Sequence, residues 1–299
     1  SRSPIMKRGF VVTGLGLVLL AAAAGSASAQ TVGADLALNS AYFWRGLSLS
    51  NKPVIQPDLY LTFGHKVTFT AGGWGNIELG KYDDPNNDLS EGAGTGAFNL
   101  TEFDWWGEFN LPAGIVTLTA GATGYIYPND KDAVATAIAN GAYYGLTSDN
   151  NTTEIYGKVA LGVPLSPKFA IWYDVDKIKG AYMELSAGLP IHLTPVLPLQ
   201  LGVLAGFSAG QGCEPDSAGV CQATDSWNFH DDGLTHVDVS ASLPISAGAI
   251  SITPNVHGII TSDDATKVSK PTESNAGFKF MVGVTLSWSK SLGASEKTE

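Results

Sequence analysis

The chain has 299 residues, of which 15% are charged, with 28 acidic against 17 basic side chains. A soluble domain of this size would carry about 25% charged residues, and a formal charge of −11 is a poor match for nucleic acid. The low charge, the 35 glycines and the 10% of aromatic residues instead favour a chain that lies partly in a membrane.

The first segment, residues 1–29, has the layout of a secretory signal peptide. Residues 6–8 are a short basic start, residues 9–24 are apolar, and residues 27–29 form a small-residue cleavage site before Gln30. Residues 1–5 precede the expected initiator Met6. The alternative is a membrane-anchoring helix, but the apolar run is shorter than the roughly 20 residues that a helical span needs.

From residue 31 the sequence divides into twelve segments in which apolar side chains alternate with small or polar ones. They are residues 32–43, 53–65, 66–79, 99–110, 115–127, 153–163, 168–176, 181–191, 197–208, 234–243, 249–260 and 275–289. The last segment places Phe278, Phe280 and Leu286 on one face and Lys279 on the other. Its alternation runs for about a dozen residues, enough to cross a bilayer at a tilt.

Short and long connections alternate between these segments. Short ones are residues 65–66, 111–114, 164–167, 194–196 and 244–248, whereas residues 80–98, 128–152, 209–233 and 261–274 are long, with exceptions at 44–52 and 177–180. This pattern predicts an all-β fold: a transmembrane, antiparallel, up-and-down β-barrel of about twelve strands with short periplasmic turns and long extracellular loops. A β-sandwich is the alternative.

The barrel is expected to span residues 30–289, to close its last strand onto its first, and to leave a polar tail at residues 290–299. It would lie in the bacterial outer membrane, against lipids and lipopolysaccharide. Gly283, Leu286 and Trp288 fit the C-terminal signal read by the barrel-assembly machinery. Aromatic residues near strand ends predict interfacial girdles: Tyr42, Trp44, Phe109, Tyr125, Tyr127 and Trp288.

The stretch Ser40-Ala41-Tyr42-Phe43-Trp44-Arg45-Gly46-Leu47-Ser48, followed by Pro53 and Gln56, resembles the opening motif of the TorF family of proposed porins. Weaker echoes follow in Glu102-Phe103-Asp104, Tyr125-Ile126-Tyr127-Pro128 and Glu154-Ile155-Tyr156. The resemblance touches the first half of the chain more than the second. It implies an outer-membrane barrel with a transport role and no defined substrate.

The polar faces of the segments identify candidate pore-lining residues. The acidic candidates are Asp35, Asp58, Glu102, Asp104, Glu108, Glu154, Asp174, Asp176, Glu184 and Asp238, and the basic ones are Arg45, Lys66, Lys158, Lys168 and Lys279. Acidic rings favour cations, so we expect a cation-leaning pore with Arg45 as a counter-charge at its mouth. The alternative is a cross-strand charge ladder that only maintains the barrel.

Two features lie in the long loops. Cys213 and Cys221, the only cysteines, are predicted to form a disulfide after export. Residues 130–141 have the caps and spacing of a short helix, which we expect to fold into the barrel mouth and narrow it. Packing of that helix against other loops is the alternative.

Motifs that suggest chemistry have simpler interpretations. The Gly-x-Ser-x-Gly run at residues 206–210 precedes a loop, whereas a hydrolase elbow needs a strand-to-helix turn. The glycines at residues 92–97 lack a following helix for a dinucleotide. The loop acids Asp83, Asp84, Asp88 and Glu91 are expected to be solvated. His230, Asp231, Asp232 and His236 match no standard metal spacing.

We therefore expect no enzyme, no metal and no cofactor. The predicted function is a porin-like channel for passive diffusion of small hydrophilic solutes, narrow or partly plugged because twelve strands fall between filled and open barrels. The alternatives are a non-conducting structural or binding barrel and an outer-membrane hydrolase that uses Ser208.

Overall fold

The computed structural model describes residues 30–80, 98–128, 151–194, 197–212, 228–267 and 275–292. Within these ranges the structure has fifteen strands and one short helix: β1 Gln30–Asn39, β2 Tyr42–Trp44, β3 Leu47–Ser50, β4 Val54–Gly64, β5 Thr68–Glu78, β6 Asn99–Ala113, β7 Val116–Ile126, β8 Thr152–Leu161, β9 Lys168–Asp174, β10 Ala181–Thr194, β11 Leu197–Ala209, β12 Gly233–Ser242, β13 Ile245–Ala247, β14 Ile250–Thr261, α1 Asp264–Lys267 and β15 Phe278–Leu292. In these ranges no helix has the length and apolar character needed to cross a membrane.

Twelve long strands form a closed antiparallel barrel. Each strand pairs with its neighbour in sequence from β4 to β12, and β14 pairs with both β12 and β15. The barrel closes where β1 pairs with β15, from Gln30 opposite Leu292 to Asn39 opposite Gly283. The short β13 pairs only with β14 and continues the line of β12 after a break at Leu243–Pro244. The predicted all-β up-and-down barrel, closed by its last strand, is confirmed.

The barrel is apolar on its outside. In β15, Phe278 and Phe280 are 60% and 58% exposed, whereas Lys279 between them is 4% exposed. Leu36, Leu59 and Leu185 on three other strands are also exposed. A β-strand sends successive side chains to opposite faces, so the buried charged residues face the barrel interior. This arrangement rules out a β-sandwich, in which the large apolar side chains would pack against one another.

Each of the twelve predicted segments overlaps a barrel strand, and the differences are at strand ends. β1 ends at Asn39, so the predicted first strand ran too far. β15 continues to Leu292, past the predicted start of the polar tail at residue 290. Of the predicted girdle residues, Tyr42 and Tyr125 are buried, so the prediction is wrong for these two, whereas Phe109 and Trp288 lie exposed on the outside.

Candidate functional site

The connection between β1 and β4 turns into the barrel as a β-hairpin. β2 and β3 pair antiparallel, with Trp44 opposite Leu47, around a two-residue turn of Arg45 and Gly46. Both turn residues have positive φ, 52° and 83°, as in the type I′ turns that suit a twisted hairpin. Gly46 adopts a positive φ without strain, whereas the same conformation destabilises a non-glycine residue such as Arg45 by about 1–2 kcal/mol. Contacts of the Arg45 side chain must therefore hold the turn.

Arg45 forms a buried, bidentate ion pair across the barrel with Glu154 of β8. Its Nη1 donates to Oε1 at 2.7 Å and its Nη2 to Oε2 at 2.6 Å, and the two side chains are 6% and 1% exposed. The Tyr125 hydroxyl also donates to Glu154 Oε2, at 2.8 Å. Burial lowers the pKa of Arg45, but the Glu154 carboxylate more than offsets this and leaves the pKa above its usual value. Arg45 is therefore charged at any physiological pH.

Aromatic rings surround the same guanidinium group. Arg45 Cζ lies 4.2 Å from the ring centroid of Trp44 and 4.3 Å from that of Tyr182 in β10. The Trp172 ring of β9 is 5.4 Å away. A desolvated cation over an aromatic face is stabilised by about 1–2 kcal/mol. The Glu154 carboxylate and these three rings form a binding site for the guanidinium group, which we call the Arg45 socket.

Gly46 fixes the other side of the hairpin tip. Its carbonyl oxygen accepts a hydrogen bond from Lys279 Nζ of β15 at 3.0 Å. A Cβ added at Gly46 would lie 2.8 Å from His236 Cβ of β12, so a larger residue would push the tip out of place. Since β8 and β15 lie on opposite sides of the closed barrel, the hairpin crosses the interior. The contacted residues are near the strand ends that carry the long connections, which places it at that end.

The base of the hairpin contacts a second carboxylate. The hydroxyls of Tyr42 in β2 and Tyr127 after β7 both donate to Glu102 of β6. Burial, with the nearby Glu102 charge, raises the pKa of both tyrosines well above its usual value, so both stay protonated donors. The Tyr42 ring packs against Trp74 of β5, with centroids 5.6 Å apart. This Glu102 cluster lies beside the Arg45 socket.

Deeper interior charges are partly paired. Lys158 Nζ lies 3.0 Å from Glu108 Oε2, which also accepts from the Tyr156 hydroxyl. His257 Nδ1 lies 2.8 Å from Asp238 Oδ2. These contacts form part of a cross-strand charge ladder, which the sequence analysis gave as the alternative to a cation-selective pore lining.

The remaining candidates divide between the interior and the strand ends. Asp35, Asp58, Asp104 and Glu184 lie on inward positions, and Asp58 accepts a hydrogen bond from Trp106 Nε1 at 3.2 Å. Asp174 is different, because its carboxylate accepts the backbone N–H groups of Asp176 and Ile178 and so stabilises the β9–β10 turn. Lys66 and Asp176 are exposed in turns, so the expectation that they face the interior is wrong.

Several predicted features lie outside the described residues: Cys213, Cys221, the segment 130–141, the glycines at 92–97 and the acidic loop from Asp83 to Glu91. Ser208 lies in β11, a strand that runs out into a loop at Gly210, so the strand interpretation of its motif is confirmed. Among the described residues, no three His, Cys, Asp or Glu side chains are placed to hold a metal. His236 lies instead in β12 behind the hairpin tip.

Sequence reasoning missed the inward hairpin and assigned the narrowing role to residues 130–141. The available signal was Gly46 between two short alternating segments, although Arg-Gly is not among the usual two-residue hairpin turns. The four stretches that carry the TorF resemblance meet at this point: Arg45 and Tyr42 from the first, Glu102 from the second, Tyr125 and Tyr127 from the third, and Glu154 from the fourth. The structure thus brings together residues that are far apart in the sequence.

The model of a family described as a bacterial protein of unknown function (Gcw_chp) matches residues 23–203. This match does not confirm the TorF family name, so that resemblance stays a prediction. No curated protein matches the chain.

Among solved structures, the NanC porin is 8% identical, with a TM-score of 0.46 over 85% of this chain and 98% of that one. An outer membrane channel from Pseudomonas putida F1 is 12% identical, with a TM-score of 0.46 over 89% of this chain and 97% of that one. LpxR from Salmonella typhimurium is 9% identical, with a TM-score of 0.45 over 86% of this chain and 99% of that one. We take no function from these likenesses.

Proposed function

We propose that this chain, which belongs to the Gcw_chp family of bacterial proteins of unknown function, is an outer-membrane channel for passive diffusion of small hydrophilic solutes. The observation that carries the proposal is the polarity of the barrel. The outside of the barrel is apolar and its inside is charged. The hairpin formed by β2 and β3 crosses the inside at one end and is held there by the Arg45–Glu154 ion pair. The TorF resemblance implies a porin, and we include that role in the proposal.

The membrane location follows from the cost of exposing the barrel surface to water. Large side chains such as Leu59, which is 65% exposed, gain about 25 cal/mol for every Å² moved into an apolar phase. Closure leaves no open sheet edge in hydrocarbon, where each unpaired backbone group would cost several kcal/mol. The chain would be exported through its signal peptide and assembled through β15, with long loops facing lipopolysaccharide and short turns facing the periplasm.

Selectivity for cations is the finer part of the proposal. Of the inward carboxylates in the described part of the chain, Glu154, Glu108 and Asp238 pair with Arg45, Lys158 and His257. No ion pair joins a described basic side chain to a further group of inward carboxylates, which includes Asp35, Asp58, Glu102, Asp104 and Glu184. Inward carboxylates thus outnumber the inward cations Arg45, Lys158 and Lys279, and such an acidic excess would favour cations over anions.

The hairpin would set the width of the path at its outer end, and no reaction on the solute is proposed. The Arg45 socket binds a group of the protein itself, and Ser208 lies within a strand and not at a nucleophile elbow. We therefore propose no enzymatic activity.

Planar-bilayer recording of the refolded protein tests the proposal. We expect discrete current steps, and in a salt gradient a reversal potential of the sign that marks cation preference. Steps with an anion-selective reversal potential would contradict the selectivity only. Flat traces from barrels that are folded by circular dichroism would contradict the channel.

A non-conducting binding or structural barrel is the second candidate. It is favoured by the hairpin tip, which contacts β7, β8, β9, β10, β12 and β15. A tip anchored to so many strands would close the path if it does not move. Flat traces would support this candidate.

A further inference from the structure

Two adjacent inward carboxylates on β6 are buried, and no other residue that the structure describes supplies a counter-charge to them. Glu102 and Asp104 are two residues apart, so their side chains share a face, and they are 2% and 8% exposed. Each carries a buried oxygen, Glu102 Oε1 and Asp104 Oδ1, that has no hydrogen-bond partner in the described part of the chain. The tyrosine hydroxyls that reach Glu102 leave Oε1 unsatisfied.

The charged groups that act on Asp104 from the described residues are the acidic Glu102, Glu154 and Asp58. The neighbouring cation, Arg45, has both of its Nη groups on Glu154. An ionised carboxylate that is buried without a partner destabilises the folded protein, and two adjacent ones also repel each other. A cation from outside the chain would remove this cost, and a proton shared between the two carboxylates is the alternative.

The surroundings of the pair identify the kind of cation. Trp74 pairs with Asp104 across the β5–β6 ladder and packs against Tyr42, and Tyr125 pairs with Asp104 on the other side. The Arg45 socket uses the same components: a buried carboxylate, a tyrosine hydroxyl donating to it, and tryptophan and tyrosine rings. The socket holds the guanidinium group of Arg45, whereas the Glu102–Asp104 pair receives no basic side chain from the residues that the structure describes.

A metal ion fits this pair less well. Among the described residues no three metal-ligating side chains come together, and hard cations such as Ca²⁺ take six to eight oxygen ligands. Carboxylates combined with aromatic faces are instead the usual recognition chemistry for ammonium and guanidinium groups.

We propose that Glu102 and Asp104, beside Tyr42 and Trp74, form a binding site for an organic cation that carries ammonium or guanidinium groups. The site lies at the end of the barrel that the hairpin crosses, and Tyr42 belongs to that hairpin, so binding and hairpin position are coupled. The next step rests on the channel function proposed above. The solutes of that channel would include small basic molecules such as diamines.

Isothermal titration of the refolded protein in detergent with putrescine tests the site. We expect saturable binding, weakened at least tenfold by Glu102→Gln and by Asp104→Asn. Asp264→Asn is the control, because it removes an exposed carboxylate of α1 at the same end of the barrel and should leave the affinity unchanged. Circular dichroism and the heat-induced shift on gels verify that each variant is a folded barrel.

Three results would overturn the proposal. They are absence of putrescine binding, equal affinity in the two site variants and the wild type, and tighter binding of MgCl₂ with the same dependence on both carboxylates. The titration needs no ion flow, so it is independent of the channel proposal. Putrescine binding with flat bilayer traces would remove the channel and keep the site, and conduction without binding would do the reverse.

Discussion

At the scale of single residues, the Arg45–Glu154 pair determines whether the hairpin stays in the barrel. Both side chains are almost fully buried, so solvent does little to screen their attraction. Removing one partner from a buried ion pair leaves the other charge without compensation, which costs about 3–5 kcal/mol. That cost exceeds the strain of the positive φ at Arg45, so the pair can hold the turn in its unusual conformation.

We therefore expect Glu154→Gln to destabilise the folded barrel by about 3 kcal/mol, measured by denaturant unfolding in detergent. The double variant Arg45→Met with Glu154→Gln should lose less than the two single variants combined, because no buried charge is left unpaired. Lys158→Met is the control. It breaks a pair whose side chains are 27% and 19% exposed, so its loss should be smaller. Additive single losses would show that the two side chains are not coupled.

At the scale of elements, the barrel strands could be predicted because their environment repeats every two residues. In β7, Leu118 and Ile126 face outward, and the residues at the alternate positions, such as Tyr125, face inward. Lipid on one side and a polar interior on the other impose this alternation along the whole strand. Strand ends were less certain, since the pattern does not change where a strand leaves the membrane.

The hairpin could not be predicted in the same way, because its strands have the same period as the barrel strands. Tyr42 continues the alternation of β1, so the sequence predicted one strand that runs on to residue 43. The partners that hold the hairpin are remote: Glu154 is 109 residues from Arg45, and Lys279 is 233 residues from Gly46. Only the closure and register of the barrel bring these residues together. The acidic interior was predictable, but the pairing within it was not.

A glycine substitution tests whether docking of the hairpin controls the path. Gly46 has φ of 83° and faces His236, whereas Gly114 has φ of 65° in a turn where an added Cβ meets nothing within 4 Å. Both Gly→Ala changes introduce backbone strain of about 1 kcal/mol, but only Gly46→Ala adds a clash. We expect Gly46→Ala to displace the hairpin and raise single-channel conductance several-fold. Gly114→Ala should conduct like the wild type, and equal traces for both would mean that the hairpin does not limit the current.

At the scale of the whole molecule, the inverted polarity joins fold and function. The same alternation that turns Leu286 outward turns Ser287 inward, where it lies opposite Asp35 of β1. The outer face stabilises the barrel in lipid, and the inner face is left to carry charge and water. Strand closure is required for both, since an open edge would expose backbone groups to hydrocarbon.

Adjacent arginine substitutions in β15 test this polarity directly. Leu286 is 45% exposed near the middle of the strand, and an arginine on the lipid face at that depth costs about 2–4 kcal/mol. We expect Leu286→Arg to lower the free energy of unfolding in lipid vesicles by that amount. Ser287→Arg should cost much less, because its guanidinium group can pair with Asp35 in the interior, and it should shift the reversal potential towards anions. If Ser287→Arg were the more damaging change, the inward and outward faces would have been assigned the wrong way round.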